Sequence, residues 1–183
     1  DVFRQKGGSP IIDNSKRINE GRTSLVTGKD FQIIQTKTET ESMEKVKGIM
    51  KKYYDPKDPF KIQILCPSKE GISGVVNQNT ILQECLNTSK DKIFYGKGCY
   101  KVNDKIIMTK NNYEADYYNG DIGIIRSIDK NKQLHVEIRE KEYVLTRDMM
   151  EDIRLAYGMT IHKSQGSEFP IVIVVMPMKP KIM

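Results

Sequence analysis

The chain has 183 residues, 38% hydrophobic and 30% charged, which is enough for a real core and argues against wholesale disorder. Thirty Lys and Arg against 24 Asp and Glu leave a net charge of +6. That favours a polyanionic partner without naming one, because many Lys-rich proteins are merely soluble. No apolar run approaches the roughly 18–20 residues that span a bilayer, and the opening DVFRQKGG has no apolar signal-peptide core. A membrane partner is therefore not expected. Cys66, Cys85 and Cys99 are odd in number and lack metal-type spacing, so they read as reduced thiols in a cytoplasmic setting, with no metal site expected. The missing initiator Met and the ending KPKIM suggest a piece of a longer protein.

In chain order, residues 9–20 predict a helix capped by Ser9, with Pro10 in its first turn and Gly21 just past its end. Phe31 to Thr36, FQIIQT, reads as a strand. Residues 42–54 place Met43, Val46, Ile49, Met50 and Tyr53 at helical spacing, and Lys61 to Cys66, KIQILC, is a strand stopped by Pro67. Residues 73–87 form a third helix. From about 98 to 150 the pattern changes. Leu134, Val136 and Ile138 alternate with polar residues, and short apolar runs at 106–108, 122–125 and 143–145 are separated by the turn signals Asn119-Gly120 and Asp129–Lys132. Ile171 to Met176, IVIVVM, is apolar without alternation, the pattern of a strand buried on both faces. Strands alternating with helices predict an α/β fold with a parallel sheet, formed by residues 1–97 and 151–183, into which 98–150 inserts as a small antiparallel β-barrel.

A phosphate-cradling loop is not found. The nearest candidate, Gly21 to Asp30, has six residues between its glycines instead of four, and Asp30 stands where a Ser or Thr would hold magnesium. The chain therefore lacks the parts that bind and hydrolyse a nucleotide unaided. The strongest local feature is Tyr157 to Phe169, YGMTIHKSQGSEF. Thr160 there can cap a short helix, so that the following N–H groups point outward, and His162, Lys163, Ser164 and Gln165 gather donors suited to phosphate oxygens. Gly166 lets the backbone turn or approach a ligand closely. Read without further context, the stretch is better taken as a polar capping loop at the edge of an α/β sheet.

TIHKSQGSEF resembles motif V of superfamily-one helicases, in the branch containing RecD-like and Pif-like enzymes (the exodeoxyribonuclease V alpha subunit family). Three further stretches agree in order: Val2–Gln5 with Ser9–Ile12 and Arg17–Gly21; Leu65–Gly71 with Gly74–Asn87; and Asp104–Tyr113 with Tyr118–Gly123. Gln78, Thr88 and Cys66 depart from the family's usual Leu, Pro and Ser. The resemblance implies a second RecA-like motor domain, truncated and discontinuous, with the inserted barrel of Src-homology-3 (SH3) type. It implies an ATP-dependent DNA helicase as parent, moving 5'-to-3', active in DNA repair and recombination. On that pattern Thr160, His162, Lys163 and Ser164 meet single-stranded DNA, while Gln165, Gly166 and Glu168 lie toward the nucleotide. Arg4 would reach the γ-phosphate as a catalytic residue, a task suited to a forked guanidinium. ATP with Mg2+ would be held mainly by the first RecA-like domain of the same parent. DNA junctions and RecB- and RecC-like subunits are the further partners implied.

On the barrel, Asn111, Asn112 and Tyr113 are nucleic-acid candidates, with Lys101, Lys105 and Lys110 as possible phosphate contacts. The alternative is that the two Asn shape a turn and Tyr113 packs beneath it. A non-motor nucleic-acid-binding module and the helicase part of a conjugative relaxase remain as other readings of the whole chain.

Overall fold

Ser9 is extended, and its hydroxyl accepts from the N–H of Ile11 at 3.3 Å to start α1, Pro10–Asn19, with Pro10 in the first turn. Gly21, at φ +73°, ends it as the sequence predicts. The computed structural model describes residues 9–96 and 98–178, and divides between Thr36 and Lys37 into two compact units. In the first unit, buried Asn14 donates to Val26 O at 2.7 Å and accepts from Val26 N at 2.8 Å, pinning the returning chain to the helix. The expected strand FQIIQT does not form. Only Gly28 and Phe31 make a bridge, and Ile33 and Ile34 are exposed. An extended run must pair its N–H and C=O groups with a neighbour or with water, and among the described residues no strand lies beside it.

The second unit opens with α2, Glu39–Tyr53. Thr38 accepts from Glu41 N at 3.1 Å, and the Glu41 carboxylate accepts from Lys37 N at 2.8 Å, a near-reciprocal cap. Met43, Val46 and Met50 form its buried face. Then come β1, Ile62–Cys66, and α3, Val75–Leu86. The first N–H groups of α3 are supplied from the tight loop before it, Val75 N donating to Ser68 O and Val76 N to Lys69 O, both at 3.1 Å. Next come β2, Lys92–Tyr95, β3, Gly98–Lys101, β4, Lys105–Met108, β5, Ile122–Ile128, β6, Leu134–Ile138, β7, Lys141–Leu145, and β8, Ile153–Leu155. The chain closes with β9, Gly158–Thr160, and β10, Ile171–Val174.

Three sheets follow from this order among the described residues, the smallest being the β2–β3 hairpin. β10, β1 and β9 pair in parallel, with α2 and α3 completing a core of Val46, Met50, Ile62, Ile64, Leu82 and Tyr157. β7, β6, β5, β4 and β8 form an antiparallel sheet around Ile106, Met108, Ile125, Leu134, Val136 and Leu145, and Ile93 and Tyr100 of the β2–β3 hairpin join that core. This is the α/β fold with an SH3-like barrel that the sequence predicts. Leu134, Val136 and Ile138 are buried in alternation as expected, Gly120 sits at φ +100°, and Gln133 N donates to the Asp129 side chain at 2.9 Å across the second turn. One expectation fails: β10 is not buried on both faces. It is an outer strand among the described residues, and Val172 and Val174 are 46% and 52% exposed.

β8 leads into β9 through only Ala156 and Tyr157, so the last barrel strand becomes a strand of the parallel sheet almost without a break. The seam around this passage is polar and fully enclosed. Asp104 accepts from Gln83 of α3, from Asn87 just past its end, from Lys101 N and from Tyr157 OH. Asn79 donates to Leu155 O and Gly158 O and accepts from Gly158 N. Satisfied networks of this kind fix one arrangement of their partners.

Candidate nucleic-acid and nucleotide interface

Parallel α/β sheets present ligands beyond the carboxyl ends of their strands, and the 160–168 loop lies at that edge. Thr160 ends β9 beside Cys66, the last residue of β1, and Ile161 N donates to Cys66 O at 3.2 Å. His162–Ser164 form one 3-10 turn rather than the short helix expected. The Thr160 hydroxyl does accept from Lys163 N, at 3.4 Å. The N–H groups do not point outward, however. Ser164 N donates to Ile161 O, Gln165 N to His162 O and Ser167 N to Ser164 O, because so tight a turn closes its own i→i+3 bonds. Apart from the backbone at Gly166, the donors available to an anion are therefore side chains. His162 and Gln165 are exposed and Lys163 is half-buried, whereas the Ser164 hydroxyl donates to Ile161 O at 2.8 Å. Gly166, at φ +83° and with open space where a Cβ would stand, turns the chain and leaves its backbone approachable. Glu168 is exposed on the return path. Arg4 lies outside the described residues.

Partial burial pushes the Lys163 amine below the ordinary lysine range, and the cations of Lys69 and Arg154 push it the same way. Lys69 follows β1 and Arg154 lies on β8, so three elements direct positive charge toward one edge. Like charges held near one another are suited to a polyanion. The sequence reading missed Lys69 and Arg154 as members of this group. Lys69 lay within the Leu65–Gly71 resemblance, but nothing in the sequence placed Arg154 nearby.

On the barrel, Asn112 closes a turn by donating to and accepting from Tyr117, and its side chain accepts from Ala115 N at 3.0 Å. Asn111 accepts from Asn119 N at 2.8 Å and donates to the Tyr113 hydroxyl at 3.1 Å. Both Asn thus shape turns. Tyr113 does not pack beneath them: it is 77% exposed and meets Tyr118 edge-on at 6.0 Å, with Arg139 over the Tyr118 ring. All three lysines offered as phosphate contacts are otherwise engaged, Lys101 by donating to Asn87 O at 3.2 Å. Lys110 pairs with Glu151 and Asp152, both at 2.7 Å. Lys105 is buried at 1% exposure, because its amine bonds inward. Burial pushes the Cys66 thiol up to about 12 and leaves it no nucleophilic role at neutral pH. Among the described residues no three His, Cys, Asp or Glu side chains could hold a metal ion, and no helix is long and apolar enough to cross a membrane.

A parallel sheet with a donor loop at its carboxyl edge and an SH3-like barrel leading into that loop is an arrangement shared with solved helicase structures. It superposes on Bacteroides Pif1 bound to single-stranded DNA with a TM-score of 0.51 at 15% identity, covering 95% of this chain and 44% of that one. The complex of that helicase with ADP-AlF3 and single-stranded DNA gives a TM-score of 0.52 at 16% identity and the same coverage. More particularly, residues 79–138 match the family of the ATP-dependent RecD-like DNA helicase SH3 domain, and residues 155–182 match the UvrD-like helicase C-terminal domain. The ATP-dependent RecD2 DNA helicase of Deinococcus radiodurans is 25% identical over 175 residues, 96% of this chain and 24% of the relative. The RecBCD enzyme subunit RecD of Buchnera aphidicola is 31% identical over 123 residues, 64% of this chain and 20% of the relative. The chain is thus similar to RecD-like DNA helicases, and it spans about a quarter or less of the length of these two relatives.

Proposed function

We propose that the chain is the second motor-domain segment of an ATP-dependent DNA helicase, with residues 1–97 and 151–183 as the RecA-like part and 98–150 as the body of the inserted barrel, which β2 and β8 extend at its two ends. The observation that carries this reading is the 160–168 loop at the carboxyl edge of the parallel sheet, with Lys163 set among the cations of Lys69 and Arg154. In this reading Thr160, His162, Lys163 and Ser164 grip single-stranded DNA at its phosphates, and the exposed Tyr113 offers a ring to a base. Gln165, Gly166 and Glu168 face the nucleotide, and Arg4 reaches its γ-phosphate. The open approach to the Gly166 backbone fits a phosphate group. ATP, when bound with magnesium, supplies the free energy of movement, and the first motor domain of the parent holds most of it. The parent works in the cytoplasm, moves 5'-to-3', and meets DNA junctions and RecB- and RecC-like subunits.

The test is to titrate the purified chain into labelled oligothymidylate at several salt concentrations, and to assay ATP hydrolysis with and without DNA. Binding that weakens linearly on a log–log salt plot, with no turnover, is the expected result. DNA-stimulated ATP turnover by the chain alone would overturn the assignment of half a site. Absence of any salt-sensitive binding would overturn the strand grip. The missing phosphate loop favours one second reading, a nucleic-acid-binding module without a motor, and a parent gene lacking G-x-x-x-x-G-K-[ST] upstream would select it.

A further inference from the structure

The loop proposed to grip the strand is tied to the barrel at both ends. Its outgoing end is β9, which continues β8 across two residues, and Ala156 N donates to Lys105 O of β4 at 2.7 Å on the way. Its returning end is Phe169, which packs against the cluster of Ile107 of β4, Ala156 and Met159, as Ile122 of β5 also does. Between the two ends stands Lys105. Its amine donates to Pro59 O at 3.0 Å and Gln63 Oε1 at 2.7 Å, and lies 5.3 Å from the ring centres of both Phe60 and Phe169. Gln63 in turn donates to Ile64 O, Ala156 O and Tyr157 O. One buried cation therefore touches the segment entering β1, the crossing from β8 to β9, and the residue that closes the loop.

An apolar side chain would fill this space without the desolvation penalty of an ammonium group. Burial pushes the Lys105 amine down to about 7 against the pull of Asp58, which shows how poorly the site is solvated. What the amine adds over a methylene chain is direction: two hydrogen bonds and an approach to two rings that fix Phe169 relative to β1.

We infer that Lys105 is a positioning residue that holds the 161–168 loop in register with the barrel through Phe169, so that a shift of the barrel is felt by the loop. The tether follows from the packing alone; its effect on strand binding rests on the proposed function. The test uses the 183-residue chain with Lys105→Met, and Phe169→Leu as a second route that leaves Lys105 in place. Backbone 15N relaxation by NMR reads the loop directly. In both variants the order parameters of Ser164, Gln165 and Ser167 should fall below about 0.6, while those of β5, β6 and α2 stay at their original values. Loop values unchanged in a folded variant overturn the inference, as does a uniform loss across the whole unit. Should Lys105→Met fail to fold, Phe169→Leu decides by the same criterion. Oligothymidylate affinity should fall several-fold in the variants with the salt slope preserved, since no phosphate contact is lost. A wild-type chain that binds no DNA sinks the functional reading and leaves the relaxation result standing by itself.

Discussion

Replacing Tyr157 by Phe isolates one hydrogen bond in the seam between barrel and sheet. The ring is fully buried against Tyr54, with centroids 5.9 Å apart, so its packing survives the change. What goes is the donor 2.9 Å from Asp104 Oδ1, leaving that buried carboxylate with Asn87, Gln83 and Lys101 N. A hydrogen bond to a charged group contributes about 1.5–3 kcal/mol, and no solvent reaches this one to replace it. Urea denaturation at pH 7 should therefore show a loss of about 2 kcal/mol with an unchanged slope. The pH dependence is the sharper part. Burial pushes the Asp104 carboxyl above its ordinary value, although hydrogen bonds from Lys101, Gln83, Asn87 and Tyr157 pull it back. A raised carboxyl favours the native state below its unfolded pKa, near 4, and loses that contribution as pH rises through the folded value. Without Tyr157 the folded value rises further, so the difference between wild type and variant should be widest at neutral pH and close as pH falls towards 4. A difference below about 0.5 kcal/mol, or one independent of pH, refutes the role given to this hydroxyl.

Three other substitutions probe different parts of the chain. Gly123→Ala would set a Cβ 2.7 Å from Ile138 Cγ1 and 2.8 Å from Glu137 O; because one neighbour is backbone, it should cost about 1–3 kcal/mol by thermal unfolding, and a neutral effect would show that β5 and β6 can part easily. Gln78→Leu should stabilise by about 1–2 kcal/mol, since the Gln78 Oε1 is buried and accepts no bond from the described residues; a lowered melting temperature would mean that the amide has a partner after all. Lys163→Ala should weaken oligonucleotide binding and reduce the salt slope by about one ion, and an unaltered slope would remove Lys163 from the phosphate contacts.

Much of this architecture is written locally. The helix at Pro10–Asn19 follows from Ser9, Pro10 and Gly21, and the barrel turns from Asn119-Gly120 and Asp129–Lys132, because capping and turn residues act within a few positions of themselves. The 160–168 loop was equally legible as an irregular, donor-rich stretch between two strands. What the sequence could not show is what depends on distant partners. FQIIQT has the composition of a strand, yet pairing is decided by what lies beside it. IVIVVM has no alternation, yet its exposure alternates because Ile171 and Ile173 face the core while Val172 and Val174 face away from it. Lys105 at the start of a strand resembles any solvated lysine. Only Pro59, Gln63, Phe60 and Phe169, drawn from three other stretches, turn it inward.

The outer position of β10 has a consequence for handling the chain. A strand that is apolar on both sides, with one row of backbone groups unpaired among the described residues, is a template on which a second copy can add itself. Pro170 and Pro177 bracket this one. Neither can donate to a ladder, so any added strand is held to about six residues of contact. The flanking prolines act as gatekeepers, and replacing them is the change most apt to turn a soluble preparation into an aggregating one.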